Sequence, residues 1–119
     1  MTQPTEIKLR KQSKRLLISF DDGEAFDFSF EFLRVHSPSA EVRGHGPGQE
    51  TLQTGKEQVV ITRIEPIGHY AIRLIFDDGH DTGLYTWTYL YELGQGMDAK
   101  WRAYLDRLKD AGYARNSTE

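Results

Sequence analysis

Residues 5–12, "TEIKLRKQ", and 14–20, "KRLLISF", alternate apolar and polar side chains or run apolar, the period-two signature of strands. "FDDGEAFDF" follows, and its Asp22-Gly23 pair predicts a tight two-residue hairpin turn, since such pairs favour positive φ. In "SFEFLRV", Ser29 is placed to cap a short helix with Phe30, Phe32 and Leu33 available to bury. The segments "QVVITRIEPIG" and "HYAIRLIFDDG" (58–79) are β-branched and apolar, two further strands broken at Pro66-Ile67-Gly68. The apolar period then changes. "MDAKWRAYLDRLKDAGY" (97–113) sets Trp101, Leu105, Leu108 and Ala111 on one stripe, an amphipathic helix with Asp98 to cap it and Gly112 to stop it.

An internal repeat runs through the pattern. "LISFDDGEAFDFSFEFL" (17–33) and "RLIFDDGHDTGLYTWTYL" (73–90) share Phe-Asp-Asp-Gly, then Ser or Thr, an aromatic, any residue, an aromatic and Leu. Each copy predicts strand, Asp-Gly turn, strand and a short capped helix, with the second helix starting near Thr86. The second copy has one residue more, and Gly83 stands where a β-bulge would accept it. Between the copies, residues 37–57 form a long connection rich in Gly, Ser and Pro; the part from 43 to 57 is expected to be mobile. The predicted architecture is a single α+β domain over residues 1–119. It has an antiparallel β-sheet built from hairpins, two short helices, an amphipathic C-terminal helix and a disordered tail from 113 to 119.

Composition removes whole classes of function. A net charge of −3 leaves no basic excess for phosphates, so nucleic acid is not an expected partner. Without cysteine the chain has no disulfide, thiol nucleophile or cysteine-ligated metal. No apolar run approaches the roughly 20 residues that span a bilayer, and the charged start has no signal-peptide core, so no membrane is expected and the cytoplasm is the predicted location.

Candidate chemistry centres on His80, which stands among Asp77, Asp78 and Asp81. Three of these four polar residues lie within one tight turn and cannot converge on one ion, so Asp77 and His80 are expected to face each other across the hairpin as an opposite-charge pair. None of the four histidines has an acid two residues on, which excludes the facial triad of non-haem iron. "GHGPGQ" (44–49) lacks the Lys-Ser/Thr of a phosphate-binding loop, and no serine stands in a nucleophile elbow. No catalytic residue and no cofactor is expected. The chain has more aromatic rings than a small core hides, which leaves Trp87 and Tyr89 as candidates for contact with a protein partner, together with Arg43 and His45 beside the long connection.

The segments "LRVHSPSAEVRGH" (33–45) and "IFDDGHDTGLYTWTYL" (75–90), in this order before a terminal helix, resemble the DUF971 domain over residues 5–112. That domain is similar to the N-terminal domain of gamma-butyrobetaine hydroxylase and trimethyllysine hydroxylase. The resemblance implies a structural zinc site of three cysteines and one histidine, whose matching positions here are Ser37, Ser39, Val42 and His80. Neutral hydroxyls are poor zinc ligands and valine is none, so the resemblance implies a degenerate site without metal. The catalytic iron of the hydroxylases belongs to a separate, larger domain, and hydroxylase activity does not carry over. What remains is a non-catalytic accessory or protein-interaction module. The alternative is a metal-binding protein in iron or iron–sulfur handling, because relatives occur appended to iron–sulfur carrier proteins.

Overall fold

The computed structural model describes residues 2–44 and 50–115. Six strands and four helices follow in the order β1 (Pro4–Arg10), β2 (Arg15–Phe20), β3 (Ala25–Ser29), α1 (Phe30–Val35), α2 (Ala40–Arg43), β4 (Ile61–Ile67), β5 (Ala71–Phe76), β6 (Leu84–Thr86), α3 (Trp87–Gln95) and α4 (Met97–Asp110). The α+β class is as the sequence predicts. The strands form two three-stranded antiparallel sheets, β1-β2-β3 and β4-β5-β6. Both contribute to one core, in which Leu16, Ile18 and Phe28 of the first sheet meet Ile61, Leu74 and Tyr85 of the second.

The repeat is larger than sequence identity suggests, because it includes the first strand of each sheet. Pro4, Glu6 and Ile7 pair with Phe20, Ser19 and Ile18; Ile61, Arg63 and Ile64 pair in the same register with Phe76, Ile75 and Leu74. The ladder skips one residue in each case, Thr5 and Thr62. Their hydroxyls donate to the Ser19 and Ile75 carbonyls at 3.3 and 3.1 Å. Ser29 and Thr86 then cap α1 and α3, their side-chain oxygens accepting from the Phe32 and Tyr89 amides, each at 3.0 Å. Each unit is therefore a three-stranded meander that ends in a capped helix.

The Asp-Asp-Gly turns differ in detail from the expected two-residue kind. Gly23 and Gly79 take φ of 91° and 89°, whereas Asp22 and Asp78 do not enter the positive-φ region. Each glycine amide donates to the carbonyl of the phenylalanine three residues back, and that phenylalanine's amide donates to the carbonyl beyond the glycine. The loop is three residues long with glycine in the left-handed position. In the second unit the ladder ends at Leu84, beside the extra Gly83.

Two expectations for α4 fail on packing grounds. Its cap is Gly96 without a side-chain bond, and Asp98 sits in the first turn, where a carboxylate faces the positive helix end. The buried stripe runs through Tyr104 and Leu108 with Trp101 partly buried, and Leu105 is exposed because the core lies one position round. Gly112 does stop the helix. It takes φ of 76°, with Gly112 and Tyr113 donating to the Lys109 and Leu108 carbonyls.

Of the tail expected from residue 113, residues 113–115 are anchored and 116–119 lie outside the described residues. The Tyr113 hydroxyl donates to Glu57 at 2.8 Å and accepts from the Gly55 amide at 3.1 Å. Arg115 forms an ion pair with the buried Glu31. Of the connection expected to be mobile, residues 45–49 lie outside the described residues, and 50–57 are tied by bonds such as Thr51 N–H to the Val42 carbonyl and Tyr104 to the Gln53 carbonyl. Among the described residues no helix is long and apolar enough to cross a membrane.

Candidate functional site

His80 leaves the second Asp-Asp-Gly turn pointing inward, toward the start of the 36–60 connection. Its Nε2 lies 2.8 Å from Ser37 Oγ and 3.5 Å from Ser39 Oγ, and the Ser39 amide donates to Ser37 Oγ at 3.3 Å. All three residues are buried. The second ring nitrogen, Nδ1, faces Glu41 at 3.9 Å. Burial holds the His80 pKa below its ordinary value, and the Arg34 charge lowers it further against the pull of Glu41 and Asp78.

Asp77 and Asp78 are used differently from the expected hairpin pair. Asp77 does not face His80; its Oδ1 accepts from the Val60 amide at 3.0 Å, tying β5 to the strand beside it. Asp78 spends one oxygen on its own turn, where Oδ1 accepts from the His80 amide at 3.1 Å. Its Oδ2 accepts from Arg34 Nε at 2.9 Å and Lys56 Nζ at 2.7 Å. Partial burial works to raise the Asp78 carboxyl, but Lys56, the His80 amide and Arg34 outweigh it and hold the pKa at about 2. Arg34 is itself buried and also donates to Gln53 at 3.1 Å. The network thus joins α1, the second turn and the end of the connection.

These residues do not fit a zinc ion. Across a tetrahedral zinc, a sulfur and an imidazole nitrogen stand about 3.5 Å apart, whereas Ser37 and His80 are in direct hydrogen-bond contact. Val42 is buried on α2 and offers no donor. Among the described residues, no three His, Cys, Asp or Glu side chains are grouped to hold a metal. Nor is the Ser–His pair placed to attack a substrate. Ser37 has no exposed surface, and a Cβ on Gly83 would lie 2.4 Å from its oxygen, so the Gly83 backbone seals it. The cluster is a polar plug in which every buried side-chain donor and acceptor of the described residues finds a partner.

The expected contact residues separate into two places. Tyr89 and Arg43 meet, the guanidinium 5.3 Å over the ring, and the Tyr89 hydroxyl donates to the His36 carbonyl at 2.6 Å. Both line an open basin of about 290 Å³ between α2 and α4. Trp87 lies elsewhere, half-buried, its indole N–H donating to the His69 carbonyl at 2.8 Å beside an apolar groove that includes Ile7, Ile64 and Ile72. His45 lies outside the described residues. Reading the sequence missed the other basin residues, His36, Lys100, Tyr104 and Arg107. The signal was present, since Lys100, Ala103, Tyr104 and Arg107 fall at i, i+3, i+4 and i+7 on one helix face.

The fold and the polar plug define a small α+β domain with a buried serine–histidine cluster at its second turn. Comparison with known proteins gives the class its family. The family model described as gamma-butyrobetaine hydroxylase-like, N-terminal, matches residues 7–91, and the chain belongs to that family. Two solution NMR structures are similar over the whole chain. One is 48% identical with a TM-score of 0.84 and 89% of its own chain covered; the other is 50% identical with a TM-score of 0.83 and 94% covered. A crystal structure of a protein of unknown function from Acidithiobacillus ferrooxidans, of the DUF971 family, is 39% identical, with a TM-score of 0.66 over 77% of this chain and 92% of that one. No curated protein matches. Helix α4, with Lys100 and Arg107, lies beyond the span of the family match.

Proposed function

We propose that the chain is a non-catalytic accessory module that works by binding another protein. The observation that carries this reading is the Arg43–Tyr89 pair, an exposed guanidinium laid over a half-buried ring at the edge of an open basin. Arg and Tyr are among the side chains enriched where proteins meet, because they combine broad apolar contact with directed polar groups. The polar plug beside it offers no open metal position and no accessible nucleophile, which supports a non-catalytic role. The acidic net charge suits a protein partner better than nucleic acid or membrane, and a fold that uses no disulfide is compatible with the reducing cytoplasm.

A photo-crosslinking residue placed in the full chain at position 43, at 87 or at 102 tests the proposal in cells. Arg102 is exposed on α4 and turned about 200° from Lys100, so it reports background. Defined adducts at 43 or 87, and none at 102, are the expected result. Adducts at neither position above the level at 102 overturn it, and one equivalent of metal in the purified protein would then favour the iron-handling alternative.

A further inference from the structure

We propose that the basin between α2 and α4 receives an acidic segment of the partner protein, with its carboxylates paired to Arg43, Lys100 and Arg107. This rests on the protein-binding role proposed above and adds the chemistry of the partner. The chain carries a net charge of −3, yet three cations line this one basin, against Glu50 as the carboxylate among its described lining residues. None of the three cations forms an ion pair with a described residue, so each is available to a partner's carboxylate. His36, on the basin floor, is held below its ordinary pKa by burial, against its bond to the Phe32 carbonyl, and Lys100 and Arg107 add smaller lowering contributions.

The spacing selects an extended chain. Lys100 and Arg107 are seven residues apart on one helix face, about 10 Å along the axis. Acidic residues three apart in an extended polyproline II segment, which turns once every three residues, lie on one face about 9 Å apart. Between the two cations lie Ala103 and the Tyr104 ring, a floor that an apolar residue of such a segment would cover. The Tyr89 and Tyr104 hydroxyls are already committed to the His36 and Gln53 carbonyls, so the rings serve as walls and the cations do the recognition. All three cations are exposed at the rim and not enclosed, and the volume is at the lower limit of small-molecule pockets. That arrangement suits a surface-docked peptide better than an enveloped metabolite.

The test is a titration of the isotope-labelled full chain, followed by NMR, with a blocked octapeptide carrying aspartates three residues apart. Expected are shifts at the amides of His36, Tyr89, Lys100 and Tyr104. Affinity should fall at least tenfold when asparagine replaces aspartate, and by a similar factor in the double variant Lys100→Glu, Arg107→Glu, while Arg102→Glu leaves it unchanged. Raising the salt should weaken binding. The spectrum of each free variant shows whether it is folded. Three results overturn the inference: no shifts at millimolar peptide, shifts confined to another face, or tighter binding by an oligouridylate than by the acidic peptide. Cellular adducts at 43 or 87 without peptide binding would leave the protein-binding role standing and remove only this assignment.

Discussion

Ser37 Oγ and His80 Nε2 lie 2.8 Å apart, so two residues separated by 43 positions close the second Asp-Asp-Gly turn onto the connection between the two units. Replacing Ser37 by alanine leaves a buried imidazole nitrogen without its partner, which costs about 1–3 kcal/mol in urea denaturation. Cysteine at 37, 39 and 42 together should convert the plug into a zinc site, giving one equivalent of zinc and a melting temperature that rises with added Zn²⁺. The unaltered chain, with a single imidazole, should show no such rise. Stoichiometric zinc in the unaltered chain would contradict this account of the plug.

The same cluster makes stability depend on pH in two windows. His80 and His36 are held below the ordinary 6.5, so the unfolded chain takes up protons first and stability falls as the pH drops below about 6.5. Asp78 is held at about 2 against an ordinary 3.8, so its contribution is complete above about 4 and is lost as the pH falls toward 2. Urea midpoints measured from pH 8 to pH 3 should show both declines. Asp78→Asn should shrink the lower one, leaving the part owed to Asp22 and Glu65, which are also held low, and keep the upper; an unchanged slope between pH 5 and 3 would refute the assignment.

Gly94 is fixed by contact and not by backbone angle. A Cβ there would lie 2.3–2.5 Å from the Phe26 ring, which is itself wedged against Phe20 and Tyr91. Gly94→Ala should therefore cost roughly 1–3 kcal/mol despite alanine's better helix propensity. A thermal melt equal to that of the unaltered chain would show that α3 can shift freely on the first sheet.

At the end of the chain, Glu31 is buried and its ion-pair partner is Arg115, whose guanidinium also lies 5.3 Å from the Trp101 ring centroid. Arg115→Ala leaves a carboxylate in the protein interior. Because Arg115 is partly open to water, the expected loss is on the order of 2 kcal/mol, below that of a fully enclosed pair. Truncation after residue 112 should cost more and should also remove hydrogen-exchange protection at Gly55, whose amide donates to Tyr113. Protection at Gly55 that survives truncation would count against the anchoring role.

Local signals were the legible ones. The Ser29 and Thr86 caps, the glycine turns and the Gly112 stop are all set by a few neighbouring residues, and each stands where the pattern places it. Approach of His80 to Ser37 and Ser39 was legible through family resemblance alone, since no periodicity relates residues 43 positions apart. Partners chosen by packing were not legible. Arg34 is drawn inside by Asp78 and Gln53, partners 44 and 19 positions away that no local pattern of the short helix indicates. Helix α2 has four residues and no side-chain cap bond, too little pattern to stand out from the surrounding Gly and Ser. Division of the strands into two sheets depends on which edges meet, and a single strand's alternation carries no such information.

The matching registers of the two units also recast the stretch from 36 to 60. As an excursion within a single sheet, a connection of that length would be unusual. As the joint between two similar folding units it has ordinary work to do: it carries the chain from the last helix of one to the first strand of the next. The asymmetry of the molecule gathers at this joint. One added residue shortens the second unit's return strand, and the gap is where Gly83 admits Ser37. Of the two similar units, the one with the added residue is the one that closes onto the joint, through His80 and Ser37.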